Sequence, residues 1–338
     1  MKAFLMYEDQ DLDPQRPLPA NEQALTQDLE LDTLFYAMAQ GDRFLFEAAK
    51  RAVLSSLDNL DTIYYRQNIL KDCLNNADII RKIYQIALEP VERKKKCYYS
   101  ILSNYPRGIL YSAVEMLQMY MELLARLKDI ADKHAGQFAS EGLTTFFAMI
   151  QRELDDEYMA TVEAHLKKLR FRDGVLISAK LGQGNEGAGH VLCEPEDRPN
   201  WMRRFLGPRH TTYTFYIHPS DDHGARALAE YRDRGINLVA NVLAQSAEHI
   251  DSFFNMLRVE LAFYVGCLNL HEKLAQIGLP ASFPTVAAAN ERKHSFRGLY
   301  DICLALTMNR AVVGNDAVAD GKALVMITGA NQGGKSTF

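Results

Sequence analysis

Thr328-Gly329-Ala330-Asn331-Gln332-Gly333-Gly334-Lys335-Ser336-Thr337-Phe338 closes the sequence and decides how everything before it is read. Gly329 and Gly334-Lys335-Ser336 satisfy the pattern G-x-x-x-x-G-K-[ST]. In that pattern backbone N–H groups cradle phosphates, the lysine reaches the outer phosphates and the hydroxyl holds Mg²⁺. Just upstream, Ala323-Leu324-Val325-Met326-Ile327-Thr328 is an apolar run of the length expected for a buried parallel strand. Strand followed by glycine loop predicts the opening of an α/β nucleotide domain; the bland alternative is a glycine-rich turn.

Moving away from the loop, residues 225–277 carry apolar positions at helical spacing, among them Leu228, Tyr231, Leu238, Val242, Phe253, Leu257, Leu261, Tyr264 and Leu268. Unbroken, such a helix extends about 80 Å. A rod of that length is not needed to build one small core, so it is expected to connect two working parts. Gly235 and Gly266 are the points where a bend is expected, and Gly278-Leu279-Pro280 ends the pattern.

Upstream again, Val175 to Leu181 is short and apolar, His190-Val191-Leu192-Cys193 reads as a second strand, and Tyr213 to His218 alternates like a third. Before this β-rich insert the pattern is helical. One helix is expected around Ser112 to His134 and one continuous helix from about Leu143 to Arg170. Met1 to Tyr7 reads as a short strand, followed by an acidic, proline-bearing loop from Asp9 to Pro19. The fold class is therefore mainly α, with a small β-rich insert and the start of an α/β P-loop ATPase domain. The expected divisions are an N-terminal extension (1–28), a helical core (29–170), a β-rich insert (171–224), a long returning helix (225–278) and an incomplete nucleotide domain (279–338).

A length of 338 residues allows more than one domain, and 48% hydrophobic with 24% charged residues describes a folded chain. The net charge of −5 excludes a generally basic nucleic-acid binder and confines any DNA contact to local patches. Cys73, Cys97, Cys193, Cys267 and Cys303 form no C-x-x-C pair, so reduced cytoplasmic thiols are the simpler account. No apolar run approaches the ~20 residues needed to span a bilayer.

Two basic clusters are candidates for DNA phosphates. Arg203-Arg204, with Arg209-His210 and Trp201 nearby, lies on the insert; a solvated loop whose tryptophan covers local apolar surface is the simpler account. Arg93-Lys94-Lys95-Lys96 reads as a water-facing helix surface or as a second DNA contact. His218 and His223 beside Asp221-Asp222 imitate a metal site, but the neighbouring proline and glycine point to a turn.

The closing loop is close to T-G-P-N-M-G-G-K-S-T-F, and with it the chain resembles the MutS family of DNA-mismatch-repair ATPases over roughly residues 31–338. Arg66-Gln67-Asn68-Ile69-Leu70 is similar to the family's arginine-glutamine signature, and Val313-Gly314-Asn315-Asp316 to its V-P-N-D element. Ala330 and Gln332 depart from the family's proline and methionine, which a loop working through backbone N–H groups tolerates. The family's arginine-histidine-proline element is not recognisable; its nearest counterpart is Arg292-Lys293-His294-Ser295. The mismatch-reading domain with its phenylalanine-x-glutamate wedge has no match before Leu31.

The resemblance implies ATP as ligand, with Gly329, Ala330, Asn331, Gln332, Gly333, Gly334, Lys335, Ser336 and Thr337 forming its site and Ser336 holding Mg²⁺. It also implies a homodimer closing on double-stranded DNA under control of the nucleotide, in mismatch repair or related DNA metabolism. Two alternatives stand beside it: a non-catalytic ATP-binding scaffold, and a MutS-like ATPase acting on branched DNA or RNA-containing particles. The acidic residue that completes metal and water placement in such enzymes lies downstream of the loop in the family. This chain is therefore expected to bind ATP weakly and to hydrolyse none.

Overall fold

The computed structural model describes residues 1–97, 105–171, 174–193, 214–329 and 334. The chain forms two compact units. The first comprises Met1–Glu89, Arg126–Leu154 and Phe253–Phe338; the second comprises Pro90–Ala125 and Asp155–Ser252.

In the first unit, α1 (Glu22–Asp28), α2 (Leu31–Ala39), α3 (Arg43–Leu54) and α4 (Leu60–Asn75) follow one another, and α5 (Ala77–Cys97) begins here. Polar caps set the starts. Asp42 accepts from the amides of Phe44 and Leu45 ahead of α3, and Asn59 accepts from Asp61 and Thr62 ahead of α4, satisfying first-turn donors that have no partner within the helix. Phe35, Met38, Ala49 and Leu54 form a buried cluster against Phe263, Cys267 and Leu270 of the long helix α9 (Asp222–Gln276).

α9 is continuous over 55 residues, with no break at Gly235 or Gly266. The glycines serve close approach instead. A Cβ on Gly266 would stand 3.2 Å from Met38 Cε, and one on Gly235 would stand 2.5 Å from Ile177 Cδ1. A bare backbone at these points lets a neighbour pack against the helix.

The single helix expected from Leu143 to Arg170 is two, α7 (Glu141–Glu153) and α8 (Asp156–Lys168). Leu154 leaves helical geometry with ψ of 46°, and the Asp155 carboxylate accepts from Tyr158 N at 2.7 Å. An aspartate offering that bond starts a new helix rather than continuing the old one. The helix around residues 112–134 is longer than expected, α6 running Pro106–His134.

In the second unit, β1 (Leu176–Leu181) and β2 (Gly187–Cys193) pair antiparallel, Leu176 opposite Cys193 and Leu181 opposite Gly187. The hairpin rests on α9 where Ile177 meets Gly235 and where the His190 and Tyr231 rings lie 5.7 Å apart. The third strand expected across Tyr213 to His218 does not form over residues 214–218. Phe215 and Tyr216 are exposed there, and alternation without a ladder partner holds no strand. Tyr213 lies outside the described residues.

Residues 279–329 of the first unit hold β3 (Ser295–Leu299), α10 (Ile302–Met308) and β4 (Asn315–Val318), with β3 and β4 antiparallel. Ala323 to Thr328, expected as a buried parallel strand, is irregular, and Leu324, Val325, Met326 and Ile327 are exposed. A buried strand must pair its N–H and C=O groups. The strands nearest in sequence, β3 and β4, pair with each other and not with this run. No helix among the described residues is long and apolar enough to cross a membrane.

Candidate functional site

Of the phosphate-loop residues, Gly329 and Gly334 are described; Ala330, Asn331, Gln332, Gly333, Lys335, Ser336 and Thr337 lie outside the described residues. Gly334 has φ of +79°, in the left-handed region that glycine occupies without penalty. Arg203, Arg204 and Arg209, with Trp201 and His210, also lie outside the described residues.

The segment leading to the loop is held by backbone contact and two carboxylates. Gly314 stands so close to Gly298 that a Cβ would meet the Gly298 carbonyl oxygen at 2.5 Å, and Asp316 Oδ1 accepts from Gly298 N at 2.6 Å. The V-G-N-D sequence therefore uses glycine where β3 and β4 touch. Downstream, Asp320 Oδ1 accepts from His294 N at 2.8 Å and Ser295 Oγ at 2.7 Å, and Oδ2 pairs with Lys293 Nζ at 3.3 Å. The Ser295 hydrogen bond, with those from His294 and Lys293, holds the Asp320 carboxyl below the ordinary carboxylate range. The basic element Lys293-His294-Ser295 is thus pinned to the end of β4.

One turn of α4 reaches two other segments. Toward the chain's far end, the Tyr64 hydroxyl donates to Val286 O at 2.7 Å and accepts from Val286 N at 3.0 Å, while Gln67 Nε2 donates to Pro284 O at 3.1 Å. Residues 284–286 connect α9 to the β3–β4 element, so α4 holds the connector by its backbone. Tyr64→Phe removes both bonds at Val286. The expected result is local opening easier by about 1 to 3 kcal/mol, read as faster hydrogen exchange of the Val286 amide. An unchanged exchange rate there would show that the bridge is unimportant.

The other side of the same turn holds the N-terminal segment. Tyr65 donates to Phe4 O at 2.7 Å and Arg66 Nε to Met6 O at 2.7 Å, with the Arg66 guanidinium 4.6 Å from the Tyr7 ring centroid. From α9, Tyr264 donates to Leu5 O, and the Glu260 carboxylate accepts from Leu5 N at 2.6 Å and Leu12 N at 2.8 Å. Burial raises the Glu260 carboxyl to about 7, against the opposing pull of the amides of Leu12, Leu5 and Met6.

Met1 to Tyr7, expected as a short strand, forms none: Leu5 and Met6 are fully buried but pair with side chains, not with a sheet. Helices have no spare backbone donors along their flanks, so a chain buried among them is satisfied by Tyr, Arg and Glu side chains. Sequence reading singled out Arg66-Gln67 but missed Tyr64, Tyr65, Glu260 and Tyr264. The available signal was Glu260 itself, a carboxylate within the apolar stripe of Leu257, Leu261 and Tyr264.

The second basic run belongs to the second unit. Arg93 pairs with Glu122 at 3.1 Å and Lys94 with Asp251 at 2.5 Å, so these two cations are engaged by α6 and α9. His218 Nδ1 lies 2.6 Å from Ser220 Oγ, in a turn as its neighbours suggest. Among the described residues no group of three or more His, Cys, Asp or Glu is arranged to hold a metal ion.

A family model described as the MutS2 N-terminal domain matches residues 58–277, from just ahead of α4 to just past α9. The matched stretch includes Tyr64 to Gln67, Glu260 and Tyr264, and ends before the connector. No curated protein and no solved structure matches the chain.

Proposed function

Because the chain belongs to the MutS2 N-terminal domain family, we propose that it is the nucleotide-responsive helical part of a DNA-binding protein of the MutS type. In this reading the residues from Gly329 to Thr337 hold the triphosphate of ATP, with Lys335 on the outer phosphates and Ser336 on Mg²⁺. The bound group supplies differential affinity for open and closed arrangements of two protomers on double-stranded DNA, and so shifts their populations. Arg203, Arg204 and Arg209 meet DNA phosphates.

The observation that carries this reading is the double attachment made by Tyr64 and Gln67. The peptide leading toward the phosphate loop is bonded to the helix bearing the arginine-glutamine signature. Displacement of the connector is thereby coupled to the helical core. The Gln67 contact lies at the element whose likeness to the family was read from sequence. The left-handed Gly334 also supports a tight anion-facing turn.

Fluorescent ATP-analogue titration and duplex-DNA binding test the proposal together. Lys335→Ala is expected to weaken nucleotide binding at least tenfold and to remove any effect of ATP on DNA affinity. Arg203→Glu with Arg204→Glu is expected to weaken DNA binding and flatten its salt dependence. Nucleotide affinity unchanged by Lys335→Ala, or a DNA affinity indifferent to ATP in the parent chain, would overturn the reading. Homoduplex, mismatched and branched DNA compared in the same assay identify the preferred target.

A further inference from the structure

The second unit contains a cavity of about 590 Å³ that none of the family's sequence signatures touches. Its walls come from the first turns of α6, the end of α8, the start of the β1 segment and the first third of α9. Leu110, Val114, Leu169, Val175 and Ile236 make much of it apolar, and Phe171 and Tyr111 add aromatic surface. Three guanidiniums, Arg107, Arg170 and Arg232, line it against one carboxylate, Glu115.

The charges are unequally committed. Arg170 donates to Gln118 Oε1 at 2.5 Å, and Glu115 is hydrogen-bonded to the Tyr111 hydroxyl. Among the described residues no side-chain hydrogen bond or ion pair engages the guanidinium of exposed Arg107 or of half-buried Arg232. Phe171 follows the end of α8 with φ of +47°, a conformation in which glycine is usual and an aromatic residue is not. An aromatic side chain thus occupies a strained backbone position on the cavity wall.

We propose that this cavity takes one unstacked nucleotide of single-stranded DNA, its phosphate met by Arg107 and Arg232 and its base lying against Phe171 and the apolar wall. The volume falls in the range of small-ligand sites. Guanidinium groups matched with aromatic surface are the combination that single-stranded nucleic acid uses, one for the backbone and the other for the base face. A fatty acid would need one cation and a longer apolar bore. A base within a duplex cannot enter, so the nucleotide must be out of its stack. The inference rests on the DNA-binding reading above and adds to its duplex contacts a separate site for an unstacked strand.

The test uses the full chain, a fluorescein-labelled oligothymidylate and a blunt duplex of equal length, read by fluorescence anisotropy across a salt series. Phe171→Gly removes the ring while suiting the positive φ, so the fold is undisturbed. It is expected to weaken oligothymidylate binding about tenfold with the salt slope unchanged. Arg107→Ala with Arg232→Ala is expected to weaken it and to reduce the slope by about 0.7 for each phosphate that the guanidiniums no longer neutralise. Duplex affinity should stay within twofold in both variants, and thymidine monophosphate should compete for the parent site. Single-strand affinity unchanged in both variants would overturn the inference, as would equal losses for single strand and duplex, while leaving the DNA-binding reading intact. Failure of the parent chain to bind either DNA would overturn both.

Discussion

Glu260→Ala is expected to be the most damaging single substitution in the first unit, and its effect is expected to depend on pH. The side chain is fully buried and accepts from the amides of Leu5, Leu12 and Met6. Each orphaned amide costs about 1 to 3 kcal/mol, so the variant should lose about 3 to 9 kcal/mol near pH 5. The carboxyl has a value of about 7 in the folded chain against an ordinary 4.5. Between those values the folded state binds more protons than the unfolded one, so this group's contribution to stability falls as pH rises and reaches its minimum above about 7. The deficit of Glu260→Ala should accordingly shrink by about 2 to 3 kcal/mol between pH 5 and pH 8. Glu260→Gln should flatten that dependence while losing part of the amide pairing, because its amide nitrogen cannot accept. Urea unfolding at both pH values, with hydrogen exchange at Leu5, Met6 and Leu12, measures this. A loss under 1 kcal/mol at pH 5, or one independent of pH, would contradict the role assigned to Glu260.

That segment marks where sequence reading stops. Apolar periodicity made α6 and α9 legible because a helix facing a core repeats its demand every three or four residues. The β1–β2 pair was legible because Gly182 to Gly187 interrupts two short apolar runs. Met1 to Tyr7 carries no such repeat: seven residues of apolar chain fit a strand or a buried peptide, and the choice depends on Tyr65, Arg66, Glu260 and Tyr264, all distant in sequence. The same holds for Gly235 and Gly266. A glycine in a helical pattern reads as a weak point, and only the neighbour, Ile177 or Met38, shows that it is a contact. For the candidate site, Arg66-Gln67 was visible through a resemblance, whereas its grip on Pro284 and Met6 required the fold.

Asp251→Ala is expected to do in the second unit what Glu260→Ala does in the first, and it bears on how basic runs are read. Arg93-Lys94-Lys95-Lys96 has the composition of a phosphate-binding patch. Yet Lys94 pairs with Asp251, and the hydroxyl of the fully buried Tyr120 donates to the same carboxylate at 2.8 Å. Burial, and after it the Asp251 hydrogen bond, raise the Tyr120 hydroxyl well above the usual tyrosine range. One carboxylate on α9 therefore ties α5 to α6. Alanine leaves a buried hydroxyl and a half-buried ammonium without their anion, a loss of about 2 to 4 kcal/mol. Amides of residues 117–124 should then exchange about 30- to 1000-fold faster, with Leu5 in the first unit unaffected. Asp251→Asn keeps an acceptor for Tyr120 and should recover most of the protection. Lys94→Met should lower DNA affinity little, because its charge is directed at α9. If Lys94→Met instead weakens DNA binding as strongly as reversal of Arg203 and Arg204, the run contacts phosphate and its pairing with Asp251 is secondary.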